Sequence, residues 1–330
     1  MEMFNDGTGK NVRRRAGISV LLAGILLLAF CLLGWYWSRT PDVRWVAGDV
    51  DGQPAPAGYA SADALIQVME TLLDKPGGYL SNDMTPPSIF LDNIPSFEYG
   101  ALIQSRDFSR ALRNDFSRSQ TQSLEDRDLR IAEPAFNFNH RSWILPRTES
   151  EYRKGVNAVR RYQSRLVNDE AEFFARADNM RNWLITVEKR LGDLSQRLTA
   201  SVGQRRVNTS LAGDRPAAAR STKPTEIIVK TPWLEIDDVY YEARGSAWAL
   251  IHFLRAAELD FEDVLQDKNA TVSLRQVIRE LEATQHSLMS PMVLNGSGFG
   301  VFANHSLVLA SYMSRANAAV IDLRELLGEG

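Results

Sequence analysis

The chain reads as a mainly α protein: one N-terminal transmembrane helix, then a helical-bundle periplasmic domain with minor β elements. Three observations predict this. The first is an uninterrupted apolar run from Gly17 to Trp37. Its length, about 20 residues, suffices to cross roughly 30 Å of hydrocarbon as a helix. The second is an apolar seam, Phe173, Ala177, Met180, Leu184, Val187, Leu191, Leu194 and Leu198, stepping alternately by four and three. Such a step keeps one side of a helix apolar for more than three heptads. The third is the scarcity of alternating strand patterns in the remaining sequence.

The apolar run sets the address. Arg13, Arg14 and Arg15 precede it, and basic flanks stay in the cytoplasm. Trp35, Tyr36 and Trp37 close it, as an interfacial aromatic belt does. A cleaved signal has a shorter core and a small-x-small site, whereas Gly34-Trp35-Tyr36-Trp37 is bulky there. A lipoprotein signal puts a small residue before its cysteine, and here Phe30 precedes Cys31. The expected layout is a cytoplasmic tail over 1–16, a span over 17–37, a linker over 38–60 and a helical periplasmic domain over 61–330. A bacterial inner membrane is the expected setting, crossed once with the N-terminus inside. Within the domain, a subdivision near 148–150 and a flexible insertion over 203–232 are expected.

Charge and cysteine content narrow the function classes. The chain has 38 basic and 41 acidic side chains. Removing residues 1–40, with five basic and two acidic, leaves 33 basic against 39 acidic. A mildly acidic body argues against broad electrostatic attraction to nucleic acid or anionic lipid, so no nucleic-acid partner is expected. The single cysteine, Cys31, lies in the span, so the body has neither disulfides nor thiol chemistry.

Along the body, Ser61 is placed to cap a helix from Ala62 to Asp74, which Lys75-Pro76-Gly77-Gly78 stops. A loop through Pro86, Pro87 and Pro95 follows, then a helix over 97–118. Ala135–Asn139 and Trp143–Leu145 suggest a short hairpin around His140-Arg141. Ser150 opens a second helical half that contains the seam. That seam suits either an internal bundle core or a homodimer. Gly213, Pro216 and Pro224 mark the insertion, and Glu226–Lys230 reads as a strand. Helices resume over 236–259, 261–268, 272–286 and 303–327.

Four long segments then stand out: Leu72–Asp83, Ala111–Arg118, Thr231–Asp238 and Leu294–Gly300. They resemble a proteobacterial family of single-pass envelope proteins, domain of unknown function number 2333. The resemblance covers essentially the whole chain. It implies a Gram-negative inner-membrane setting, and it implies no activity.

Candidate chemistry is sparse. Glu235, Asp237 and Asp238 open a helix, where carboxylates complement the helix dipole or, clustered, hold a hard cation. Gly296, Gly298 and Gly300 precede another helix. They form either a tight interhelical turn or an anion cradle, without the dinucleotide or P-loop pattern. His252 lies among Leu250, Ile251, Phe253 and Leu254 and reads as a partnered core histidine. Neither a nucleophile elbow nor a zinc-binding histidine pair is present, and no cofactor is expected. These features point to a non-enzymatic scaffold or adaptor acting on an envelope protein. The alternative is an envelope hydrolase acting on peptidoglycan or a lipid-linked substrate, in a groove lined by loops 75–96 and 295–300.

Overall fold

The structure is a computed structural model that describes residues 6–46, 48–50, 52–119, 124–207, 226–288, 290, 292–297 and 301–329. It is mainly α. Helix α1, Asp6–Trp37, carries the apolar run and extends it toward the N-terminus, so the expected 1–16 tail is helical from Asp6. Its apolar side chains from Ile18 to Leu33 are exposed and none packs inside the body. The span therefore projects away from the domain.

The body holds α2 (Tyr59–Asp74), α3 (Asn93–Ala111), α4 (Leu129–Phe136), α5 (Thr148–Val167), α6 (Ala177–Thr199), α7 (Ile236–Asp260), α8 (Glu262–Asp267), α9 (Thr271–Ala283) and α10 (His305–Gly328). Two antiparallel ribbons complete it: β1 (Asp49–Val50) with β2 (Gln53–Pro54), and β3 (Gln204–Val207) with β4 (Glu226–Val229). The strand expected at Glu226 is β4. The chain between β3 and β4 lies outside the described residues.

One apolar core runs from α2 to α10, across residue 148. Its centre is the pairing of α3 with α7. These two helices run parallel: Ser96 Oγ donates to Asp238 Oδ1 at 2.9 Å, and Gln104 Nε2 to Ser246 Oγ at 2.8 Å. Two glycines permit the approach. A Cβ on Gly100 would stand 1.9 Å from the Glu242 carbonyl oxygen, and one on Gly245 1.9 Å from that of Phe97. Farther along, Phe108 stacks on Phe253 at 4.3 Å and meets Trp183 edge-on at 5.1 Å.

The seam is core. Met180, Leu184, Val187, Leu191, Leu194 and Leu198 are buried on α6, and α10 is its main partner. The two helices run antiparallel, as Ser195 Oγ meets Ser314 Oγ and Arg324 pairs with Glu188. Phe173 departs from the expectation. It lies ahead of α6, where residues 168–176 are irregular, and its ring packs on Phe116 and Phe261. Ala177 is the first residue of α6 and only partly buried.

Several local expectations are corrected. Ala135 and Phe136 close α4 instead of starting a hairpin, because Leu129, Ala132, Ala135 and Phe136 share one buried helical face. The helix expected over 97–118 starts earlier, at Asn93, capped by the Asp92 carboxylate, and ends in a π-helical turn, Leu112–Phe116. Helix α2 starts at Tyr59, so Ser61 is not its N-cap. A distant residue serves there: Asp260 accepts the Ser61 N–H at 2.7 Å.

Residues 38–60 are also no free linker. Trp248 Nε1 donates to the Asp42 carbonyl at 3.1 Å, and the Arg44 N–H donates to His252 Nε2 at 3.1 Å. Farther on, Gly48 lies against Leu259. This strap climbs α7 from the end where α1 joins to the far end of the bundle. His252 is the buried, partnered core histidine expected, with its Nδ1 against the Trp248 carbonyl at 2.8 Å.

Candidate functional site

The loop joining α2 to α3 is built on a buried charge pair. Lys75 Nζ lies 2.6 Å from Glu98 Oε1, and both side chains are almost fully buried. Glu98 also accepts the N–H groups of Leu80 (2.9 Å) and Ser81 (2.8 Å) and the Ser81 hydroxyl (2.5 Å). Lys75 closes the turn by donating to the Gly78 carbonyl at 2.6 Å. Gly77 and Gly78 adopt positive φ of 86° and 72°, where a side chain is strained. A Cβ on Gly77 would also strike Trp37, 2.8 Å away.

The same loop receives the end of α1. Gly34 is buried, with Leu91 and Pro87 side chains 3.7 and 3.8 Å from where its Cβ would be. Trp35 and Tyr36 are exposed, and the Arg39 guanidinium covers the Trp35 ring at 4.3 Å. Trp37 is half-buried against the body. Arg15 is exposed, while the side chains of Arg13 and Arg14 lie outside the described residues.

Two clefts flank this loop. The larger, about 670 Å³, lies between Ser81–Ser96, Tyr99, His140, Arg141, Asp238 and Glu242. The smaller, about 500 Å³, lies between Gly77–Asp83, Trp143 and the start of α5, including Arg147, Glu149 and Arg153. Asn82 ties the two walls, donating to the Ser142 carbonyl and to Glu149, both at 2.9 Å.

The carboxyl groups of the larger cleft differ. Burial opposes the Asp83 charge, but bonds from Ser88 and Thr85 outweigh it and hold this carboxyl below its ordinary range. Burial pushes Asp238 up, with Asp92 and Asp237 adding repulsion against the Ser96 bond. Glu242 is held by Arg197 through two 2.6 Å bonds. Burial, with Arg141 and Arg106 nearby, lowers His140 to about 4, so its ring, 4.9 Å from Tyr99, is neutral at pH 7. This is a polar recess with hydrogen-bonding and stacking capacity.

The residues singled out from sequence divide here. Asp238 enters the larger cleft; Asp237 and Glu235 do not line it. Burial pushes Asp237 up as well, with Asp92 adding to it. No group of three metal-binding side chains occurs among the described residues. Gly296 is a tight turn: a Cβ there would stand 2.2 Å from the Phe302 carbonyl oxygen. Asn304 caps α10 through the Leu307 N–H at 2.9 Å and donates to the Gly296 carbonyl. Gly298 and Gly300 lie outside the described residues. No described residue of loop 295–300 lines either cleft, so the groove expected between that loop and 75–96 is not formed by them. The walls come instead from Tyr99, His140 and Arg141. Of these, only His140-Arg141 stood out in the sequence, and as a turn.

The family model described as "uncharacterized protein conserved in bacteria (DUF2333)" matches residues 10–330. The chain belongs to that family. The match takes in the span, the strap and the whole body, and the family's description carries no activity. No curated protein and no solved structure matches the chain.

Proposed function

We propose that this protein is a membrane-anchored scaffold or adaptor of the bacterial cell envelope. It crosses the inner membrane once, with Arg13–Arg15 in the cytoplasm and the helical body in the periplasm. Its role is to hold that body in one posture and offer it to another envelope protein. One observation supports this above others: the end of the anchor and the strap that follows it are packed and hydrogen-bonded against the body. Gly34 and Trp37 pack on loop 77–91, and the strap is bonded to Trp248 and His252. A flexible linker would let the body sample a wide volume. A docked anchor fixes its height and facing, which suits a positioning protein.

The larger cleft is the surface we assign to the partner. It combines a tilted Tyr99–His140 ring pair with the polar rim of Ser81, Ser96 and Asp238. The hydrolase reading draws on the same cleft, because Asp83 and Asp238 are pushed in opposite directions, as an acid and base pair would be. A photoactivatable residue replacing Tyr99 or His140 in intact envelopes separates the two. Discrete protein adducts are expected. Lipid-linked adducts, with turnover of that lipid abolished by Asp238→Asn, would replace the adaptor with the hydrolase. Topology is checked by a C-terminal alkaline phosphatase fusion, which should be active; an inactive fusion with a fluorescent cytoplasmic reporter would overturn the placement.

A further inference from the structure

The end of the bundle from which α1 emerges is rimmed with exposed apolar side chains. Loop 75–92, which holds the end of α1, exposes Ile89 and Phe90, the latter 79% accessible. Asn82 bonds this loop to Ser142, next to exposed Trp143 and Leu145. Trp233 and Leu234 stand exposed just before α7, whose first turn meets Ser96 through Asp238. Helix α10 runs antiparallel to α6, and α6 ends here through Arg197 and Glu242. The start of α10 is therefore at this end too, and Phe302 before it is exposed. Of the exposed phenylalanine and tryptophan side chains outside α1, among the described residues, only Trp45 lies elsewhere. Arg255 covers that ring at 4.6 Å.

We infer that this rim is a second membrane contact, seated in the leaflet from which the C-terminal end of α1 emerges. The inference rests on the anchor reading above. Depth carries the argument. Gly34 lies three residues inside the end of α1, about 4.5 Å toward the hydrocarbon at the helical rise. Leu91 and Pro87 touch it. Neighbouring Ile89 and Phe90 are thus held at the level of the aromatic belt, where rings with an apolar body reside. Loops from four places in the sequence bring the same kind of side chain to this end of the bundle. Soluble surfaces scatter such residues singly, and a concentrated apolar patch marks an interaction site. The body would then rest on the bilayer with its two clefts opening at the headgroup layer.

Spin labels test this in full-length protein in lipid nanodiscs. Native Cys31 reports the span. In a Cys31→Ser background, Phe90→Cys, Leu145→Cys and Leu234→Cys report the rim, and Leu124→Cys reports a loop elsewhere on the body. Accessibility to oxygen against a water-soluble nickel chelate gives the depth. Rim labels should shift to the lipid side as Cys31 does, while position 124 stays aqueous. Loss of the label at one site through misfolding leaves the two other rim sites to decide. Aqueous rim labels with a lipid-side Cys31 would overturn the inference and leave the anchor intact. An aqueous Cys31 would overturn both. Rim labels shielded by a second copy, seen as dipolar broadening, would overturn the lipid contact in favour of a dimer.

Discussion

Replacing Glu98 with alanine removes the acceptor around which loop 75–92 is folded. The Lys75 ammonium is left with the Gly78 carbonyl and no counter-charge, at 2% exposure. Breaking a buried pair from one side costs about 3–5 kcal/mol. The Leu80 and Ser81 N–H groups lose their acceptor as well. A buried donor left unpaired costs about 1–3 kcal/mol. The sum, about 5–11 kcal/mol, is comparable with the whole stability of a typical domain. The loop escapes part of that by opening to water, so the expected net loss is about 4 kcal/mol, with amide protection lost first at Leu80 and Ser81. Urea titration followed by circular dichroism measures the loss, and hydrogen exchange locates it. The double variant Lys75→Met/Glu98→Leu removes both charges and should regain about 2 kcal/mol, because only the two N–H groups and the Gly78 carbonyl then lack their partners. A Glu98→Ala protein within about 1 kcal/mol of wild type, with both amides still protected, would refute this account of the loop.

Leu191→Ala should destabilise by about 2–5 kcal/mol and Leu191→Asp by more, since the position is fully buried on α6; an unchanged melting temperature in either would place the seam on the surface. Gly100→Ala puts a Cβ into the Glu242 carbonyl and should cost at least the 1–3 kcal/mol of overpacking, whereas Gly192→Ala, with only Asn317 at 3.7 Å, should be mild; equal melting temperatures for the two would mean α3 and α7 are not in contact there. Burial lowers His252 to about 4, below its unfolded value, so it contributes stability above about pH 6.5 that is lost as pH falls through 4. The full span is on the order of 3 kcal/mol. His252→Gln should flatten that part of the acid limb, and an unchanged slope would show that the strap does not depend on this ring.

Much of the helical layout was legible because periodicity is a local signal. Met180 to Leu198 step by threes and fours, and the structure buries each of them. Phe173 fits the same arithmetic without being helical, since a ring that packs on Phe116 and Phe261 needs no helix to place it. Phe136 and Phe138 alternate as a strand would, yet Phe136 belongs to α4, where spacing from Ala132 decides. Lys75 read only as a helix stop. Its burial depends on Glu98, 23 residues away, and nothing in either neighbourhood marks the pair. The strap was equally hidden. Its prolines and glycines describe a loop, whereas its bonds reach Trp248 and His252 about 200 residues on. For the candidate site, the loop was visible by composition, and the walls supplied by Tyr99 and His140 were not.

The parallel seating of α3 on α7 also sets a timetable for synthesis. Ser96 and Gln104 each meet partners 142 residues later in the chain. At about 5–20 residues per second, the matching part of α7 follows α3 from the ribosome after roughly 7–28 s. For that interval α1 to α5 are complete, yet the face carrying Phe97, Gly100 and Phe108 has no partner. The nascent half cannot close its core early, however good its local helices. This is the interval in which a chaperone that holds unfolded chains has an apolar helix face to grip.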